Sequence, residues 1–190
     1  MRKTFYAALA AVMLSSAPAL AAETFYFDPT HTSVTWHAGH FGFSTPSGKF
    51  ASVNGSVTLD EEMPEKSSVE VTIDTAVLVT GVEKFDAHLK SADFLNVEKF
   101  PTAKFKSTKV TLTGQDSAIV EGTLTILDVT KPVALAVRLN KTGENPFTQK
   151  KQVGFTATTV IKRADFGIVY ALPNVPDEVK IDIEAEAALK

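Results

Sequence analysis

The sequence VKIDIEAEAAL at residues 179–189 alternates apolar and charged side chains. The odd-numbered positions 179–187 are all apolar, whereas the even-numbered positions 180–186 are lysine, aspartate or glutamate. A period of two is typical of a β-strand that has one face in a core and the other in solvent. This stretch therefore predicts an amphipathic strand, and it is the clearest strand in the chain.

The same alternation recurs towards the N-terminus. Residues 33–38 place Val34, Trp36 and Ala38 on one face of a strand. At Asn54-Gly55 a hairpin turn and a glycine bend within a long strand are both possible, and the unbroken phase of the alternation favours the bend. Further strands are predicted around residues 53–59, 69–73, 105–112, 120–126, 133–139 and 153–161, with turns at 63–65, 113–116, 128–132 and 143–146.

Residues 82–91 depart from this pattern. Val82, Phe85 and Leu89 are spaced i, i+3, i+7, which predicts a short helical excursion, and Pro101 ends the connection. The chain is thus predicted to have three strands, a helix and five more strands. Because closure removes the exposed edges of an antiparallel sheet, we expect an all-β, eight-stranded antiparallel barrel. Its interior would be nearly filled by side chains or would hold one slender ligand.

The N-terminus predicts export. Arg2 and Lys3 precede a short apolar run, and Ala19-Leu20-Ala21 fits a signal-peptide cleavage site. The run is too short to span a bilayer, which disfavours a retained anchor helix. We therefore expect a signal peptide over residues 1–21 and one domain over residues 22–190. Removing the two basic residues changes the net charge from −3 to −5, which argues against binding to nucleic acid.

The chain contains no cysteine. An exported fold of this kind cannot depend on disulfides, and a thiol nucleophile or a Cys-ligated metal is excluded. The sequence also has no G-x-S-x-G motif. The acidic pairs Glu61-Glu62 and Asp177-Glu178 lie in predicted turns, where a solvated surface role is expected. We predict that the protein is not an enzyme.

Four motifs together resemble those of one family, in the family's order. They are DPTHTSV at 28–34 leading into HAGH at 37–40 and GKF at 48–50, FDAHLKSADF at 85–94 with FPTAKF at 100–105, VEGTLTI at 120–126 with VTKPV at 129–133, and RADFGI at 163–168. The ordered set covers essentially the whole mature chain and is similar to the YceI-like family. Thr32 and Phe41 are small departures, since the family often has serine and an aliphatic residue there.

The resemblance implies a lipocalin-like barrel in the periplasm. Its lumen would hold a long isoprenoid lipid, either a polyprenyl chain or an isoprenoid quinone, for transfer between membranes or for stress response. Contact with membranes would be transient at most. A homodimer is possible, but a closed barrel has no edge strand to donate, so it would need a surface patch.

The four histidines are candidate metal ligands. His31 and His37 would lie about 20 Å apart along an extended strand, and His37 and His40 would point to opposite faces. We therefore predict no metal and no cofactor. His31 is expected to fix a turn with Asp28, and His37 or His40 to lie at the barrel mouth, where a histidine can touch a polar lipid head.

The aromatic residues have two interpretations, ordinary core packing or the lining of an elongated pocket capped by the helical excursion. Arg163 likewise has two: a local ion pair with Asp165, or contact with a phosphate or quinone oxygen. The predicted ligand-contacting residues are Val34, Trp36, His40, Phe41, Phe43, Phe50, Phe85, Leu89, Phe94, Phe105, Leu124, Phe155 and Arg163.

Two other functions remain open on the sequence. The protein could be a stress-related or structural periplasmic protein whose barrel is filled by its own side chains, or a metal-assisted enzyme. The first predicts a filled lumen, and the second predicts at least three converging histidine or carboxylate groups. An isoprenoid carrier instead predicts an apolar tunnel.

Overall fold

Eleven strand segments and one helix make up the described part of the chain, residues 22–190, in a computed structural model. The predicted signal peptide at residues 1–21 lies outside the described residues. The segments are β1 (Glu23–Phe27), β2 (Ser33–Ala38), β3 (Ser47–Phe50), β4 (Val53–Leu59), β5 (Ser68–Asp74), β6 (Leu78–Val79), α1 (Glu83–Lys90), β7 (Thr102–Leu112), β8 (Ser117–Ile126), β9 (Val129–Glu144), β10 (Lys151–Lys162) and β11 (Glu178–Leu189).

The first three barrel strands are each divided into two segments, namely β1 with β2, β3 with β4, and β5 with β6. The eleven segments therefore form eight barrel strands. β1 and β2 both pair with β11, while β4 pairs with β1 and β3 with β2. β5 pairs with β4, and β6 pairs with β3. Pairing of β11 with β1, from Phe25↔Leu189 to Phe27↔Ala187, closes the ring. The predicted eight-stranded antiparallel barrel with one helix after its third strand is confirmed.

Gly55 lies inside β4 and not in a hairpin turn. Its φ of +148° is a conformation that residues with side chains rarely adopt, and a Cβ there would lie 2.1 Å from the carbonyl oxygen of Glu70. The glycine therefore lets β4 bend closely against β5. The prediction of a glycine bend within a long strand is confirmed.

The structure differs from the sequence predictions at several local points. β1 was not predicted, because Phe25, Tyr26 and Phe27 place aromatic rings on both faces and hide the alternation. The turn predicted at 128–132 ends earlier, and Pro132 lies within β9. The predicted strand at 153–161 is followed directly by a 3-10 turn over Arg163–Phe166, so Arg163 and Asp165 do not share a strand face.

The antiparallel order sorts the connections into two ends. At one end lie the connections 60–67, 113–116 and 145–150, and we call this the open end. At the other lie the connections 39–46, 80–101, 127–128 and 163–177, and we call this the helix end because α1 is there. No helix among residues 22–190 is long and apolar enough to cross a membrane.

Candidate ligand-binding site

A cavity of about 420 Å³ occupies the barrel interior. Its lining comes from all eight barrel strands, since alternate residues of each strand point inward. Most of these inward residues are aliphatic or aromatic, so the wall offers dispersion contacts and few hydrogen bonds. Representative lining residues are Val57, Val71, Leu124, Val137, Phe155 and Ile183.

Three threonines line the deeper part of this cavity, but their hydroxyl groups are engaged by the wall. Thr32 Oγ1 donates to the carbonyl oxygen of Glu186 at 3.1 Å, and Thr75 Oγ1 donates to that of Phe100 at 3.1 Å. Thr159 Oγ1 donates to the carbonyl oxygen of Ala134 at 2.9 Å. With each hydroxyl donating to the backbone, the interior presents an essentially apolar surface to a ligand.

The other polar lining residues are concentrated at the open end. Among the cavity-lining residues within 22–190, the only charged ones are Glu61 and Asp116, and both lie at this end. Glu61 accepts a salt bridge from Lys151 at 2.7 Å, and Lys151 also binds Glu23. These two carboxylates raise the pKa of Lys151 through hydrogen bonds, from Glu23 first and then from Glu61. The uncharged polar residues of this rim are Ser67, Ser68, Gln115, Ser117 and Thr142.

The helix end contains an aromatic contact between the barrel wall and α1. The indole of Trp36 lies over Gly48, where an added Cβ would come within 2.6 Å of the ring. Phe85 of α1 packs edge-on against Trp36, with ring centroids 6.1 Å apart. Trp36 is 8% exposed, and among residues 22–190 its Nε1 has no hydrogen-bond partner. Trp36 is not among the cavity-lining residues, so the charged groups of the lining are confined to the open end.

Comparison with known protein families identifies the family of this chain. Residues 25–187, nearly the whole described region, match the YceI-like domain. The chain belongs to the YceI-like family. A UPF0312 protein of Pseudomonas putida (strain W619) is 42% identical to it over 171 residues, covering 88% of each chain. The family resemblance read from the four motifs is confirmed.

Solved structures share this YceI-like fold. BcnA of Burkholderia cenocepacia superposes with a TM-score of 0.77 at 22% identity, covering 85% of this chain and 99% of that one. A polyisoprenoid-binding domain from Saccharophagus degradans, implicated in plant cell wall breakdown, gives a TM-score of 0.68 at 12% identity, covering 87% and 98%. At these identities the likeness establishes the fold of the barrel.

The YceI-like cavity brings together five of the thirteen predicted contact residues and leaves eight outside its lining. The five in the lining are Val34, Phe50, Phe105, Leu124 and Phe155. The eight outside it are Trp36, His40, Phe41, Phe43, Phe85, Leu89, Phe94 and Arg163. Contact of any of the thirteen with a ligand stays a prediction.

The residues outside the lining cluster at the helix end. His40 and Phe41 stack edge-on in the connection 39–46, and Phe43 at its tip is 90% exposed. Phe94 packs against His88 and Tyr170, with centroids 5.0 and 5.4 Å away. Leu89 lies half-buried on α1.

Arg163 is held entirely by backbone carbonyl groups, and its ion-pair prediction is wrong. Its guanidinium donates to the carbonyl oxygens of Ile168 and Tyr170, both at 2.9 Å. It also donates to those of Val175 at 2.8 Å and Pro176 at 3.0 Å. The side chain is 5% exposed, and burial lowers the pKa of the guanidinium. Four bonds from one side chain order the connection 163–177, and the 3-10 turn directs Asp165 elsewhere.

The predicted turn between Asp28 and His31 is confirmed. His31 Nδ1 and Asp28 Oδ2 are 2.6 Å apart, and Thr30 N donates to Asp28 Oδ1 at 2.8 Å. This contact raises the pKa of His31 and lowers that of Asp28. Side-chain atoms of Asp28, His31 and Glu186 that could bind a metal ion lie within 4.8 Å of one another. The histidine and the aspartate, however, are already bound to each other through the 2.6 Å contact. His37 pairs on the outer surface with Asp182 at 3.1 Å.

The polar rim of the open end was not identified from the sequence, where Glu61 was assigned to a solvated turn. The available signal was the order of the turns. In an antiparallel barrel every second connection lies at the same end, so the connections around Glu61 and Asp116 had to meet there.

Proposed function

We propose that this YceI-like protein binds the apolar tail of a long isoprenoid lipid in its barrel, as a periplasmic carrier or scavenger. The ligand would be a polyprenyl chain or an isoprenoid quinone, moved between membranes or held during stress. The observation that carries this proposal is an apolar cavity of about 420 Å³ whose wall hydroxyls are already bonded. The shared fold with a polyisoprenoid-binding domain supports the choice of ligand.

The energetics of the tail favour binding without many polar contacts. Each buried CH₂ group contributes about 0.8 kcal/mol, so a tail of some tens of carbons offers more than about 20 kcal/mol before costs. Ordering the chain and losing its free motion remove much of this, and measured affinities saturate near that level. Burial of the tail is therefore sufficient for tight binding, and polar contacts serve to choose the head group.

The alternative is a structural or stress-related protein with a self-filled barrel. The size of the cavity disfavours it, because native interiors rarely leave voids much larger than a water molecule. We propose binding and not catalysis. The cavity lining within residues 22–190 holds two carboxylates at one rim and no histidine, which is a poor set for acid–base or metal chemistry.

The experiment fills part of the cavity with a large side chain introduced on β9. Val137 points into the cavity, and its neighbour Ala136 is exposed on the outer face of β9. We expect Val137→Trp to abolish uptake of an added polyprenyl quinone by the mature protein, whereas Ala136→Trp leaves it unchanged. Fluorescence quenching or native mass spectrometry measures the uptake, and circular dichroism checks that both variants fold. Equal uptake by both variants, or none by the wild-type protein, would contradict the proposal.

A further inference from the structure

The barrel wall is interrupted between β9 and β10 near the helix end. The two strands pair from Glu144↔Lys151 to Ala136↔Thr158. Beyond that point residues 129–135 of β9 pair only with β8, and residues 159–162 of β10 pair only with β11. The two strands thus diverge, and each presents an unpaired edge to the gap between them.

The sequence is adapted to these unpaired edges. Pro132 lies in the unpaired part of β9 and carries no N–H group to leave without a partner. The carbonyl oxygen of Ala134 receives the Thr159 hydroxyl at 2.9 Å in place of a backbone donor from β10. Polar backbone groups at a strand edge need such partners or water. The gap is therefore a stable feature of the wall.

A second cavity of about 290 Å³ lies in this gap. It shares Val133, Thr159 and Ile161 with the main cavity, so these three residues border both cavities. Phe166, held by the turn that contains Arg163, forms part of its wall. We call this second cavity the side opening.

The side opening differs from the open end in charge. Lys131, Lys162 and Asp165 line it, which gives a net charge of +1. Both lysines are exposed, and within residues 22–190 neither is part of a salt bridge. The lining at the open end instead carries the carboxylates Glu61 and Asp116. An anionic group is therefore favoured at the side opening, whereas Lys151 beside the open-end lining is already paired with Glu23 and Glu61.

We propose that the side opening binds the anionic head group, phosphate or carboxylate, of an amphiphile whose tail lies in the main cavity. This inference rests on the proposed function for the tail. Val133 and Ile161 would contact the first carbons of the tail where it passes the wall. The ammonium groups of Lys131 and Lys162 would pair with the head as charge-assisted hydrogen-bond donors.

The test uses two pairs of lipids; the members of each pair share a tail, and only one of them has a charged head group. Geranylgeranyl phosphate is compared with geranylgeraniol, and palmitate with hexadecanol, for binding to the mature protein. The variant is Lys131→Gln with Lys162→Gln, and the matched control is Lys141→Gln with Lys150→Gln, two exposed lysines at or near the open end. We expect the first pair to weaken binding of an anionic lipid about three- to tenfold, as for exposed ion pairs, and to leave both alcohols unchanged.

The outcomes separate the two proposals. A loss confined to the phosphate or to the carboxylate supports the side opening and identifies the head group. Unchanged binding of both anions, or an equal loss in the Lys141 and Lys150 control, overturns the side opening while leaving the tail site intact. If the wild-type protein binds none of the four lipids, the proposed function of binding a lipid tail is contradicted, and the side opening is overturned with it.

Discussion

Replacing Arg163 with methionine tests how the helix end is held together. Methionine keeps most of the apolar length of the side chain but removes all four hydrogen bonds to the carbonyl oxygens of Ile168, Tyr170, Val175 and Pro176. These groups lie within one connection, residues 163–177, that has no regular strand or helix after its 3-10 turn. Without the guanidinium, the backbone hydrogen bonds of the connection and the bond from Ala164 N to Asp177 Oδ1 at 2.8 Å remain, but four of its carbonyl groups lose their shared donor.

The expected loss is about 3–5 kcal/mol in the free energy of unfolding. A hydrogen bond to a charged group contributes about 1.5–3 kcal/mol, so four would sum to more than about 6 kcal/mol. The sum overestimates the loss, because water reaches some carbonyl groups once the connection relaxes. Each carbonyl oxygen left buried without a donor costs about 1–3 kcal/mol, so a loss of about 3–5 kcal/mol corresponds to about two such groups, out of a total stability of about 5–15 kcal/mol.

Urea unfolding followed by circular dichroism measures this loss, and binding of a polyprenyl quinone is measured on the folded variant. Arg138→Met is the control, because Arg138 is exposed on β9 and a surface substitution is expected to change stability by less than about 0.5 kcal/mol. We expect Arg163→Met to lose stability and to keep its affinity for the quinone. A stability equal to that of Arg138→Met, or a lost affinity at unchanged stability, would refute the structural role and favour direct ligand contact.

Two further predictions concern local contacts. Gly48→Ala places a Cβ 2.6 Å from the Trp36 ring, so we expect a loss of about 1–3 kcal/mol from overpacking and a shifted emission of this single tryptophan; an unchanged spectrum would contradict the packing. The raised pKa of His31 means that its contact with Asp28 stabilises the fold fully below the ordinary value of 6.5 and loses this effect as pH rises through the folded pKa. In an NMR titration Asp28→Asn should lower the pKa of His31, and an unchanged pKa would argue against the contact.

The barrel could be predicted from the sequence because the patterns that indicate its strands and its helix each lie within a short stretch of residues. The alternation in β11 and the helical spacing of Phe85 and Leu89 are visible within about ten residues, and both elements are observed. β1 escaped detection because its aromatic residues lie on both faces. Pro132 was assigned to a turn, since proline disfavours central strands, but an unpaired edge accommodates it.

The site was only partly predictable because residue type does not determine which way a side chain points. Phe105 and Phe155 line the cavity, whereas Phe43 is 90% exposed and lies in a loop. Arg163 has the chemistry of a ligand contact, and only the folded connection around it shows that carbonyl groups occupy its donors. The side opening depends on where two strands part, which no local pattern of either strand reveals.

The central claim is that this cavity holds an isoprenoid tail in the cell. Native mass spectrometry of the protein, purified gently from cells without added lipid, tests it most directly when followed by organic extraction and identification of the released molecule. We predict a stoichiometric complex with one isoprenoid lipid, which is lost in Val137→Trp and kept in Ala136→Trp. Repeated recovery of the wild-type protein without lipid, together with no uptake of added polyprenyl quinone, would contradict the claim.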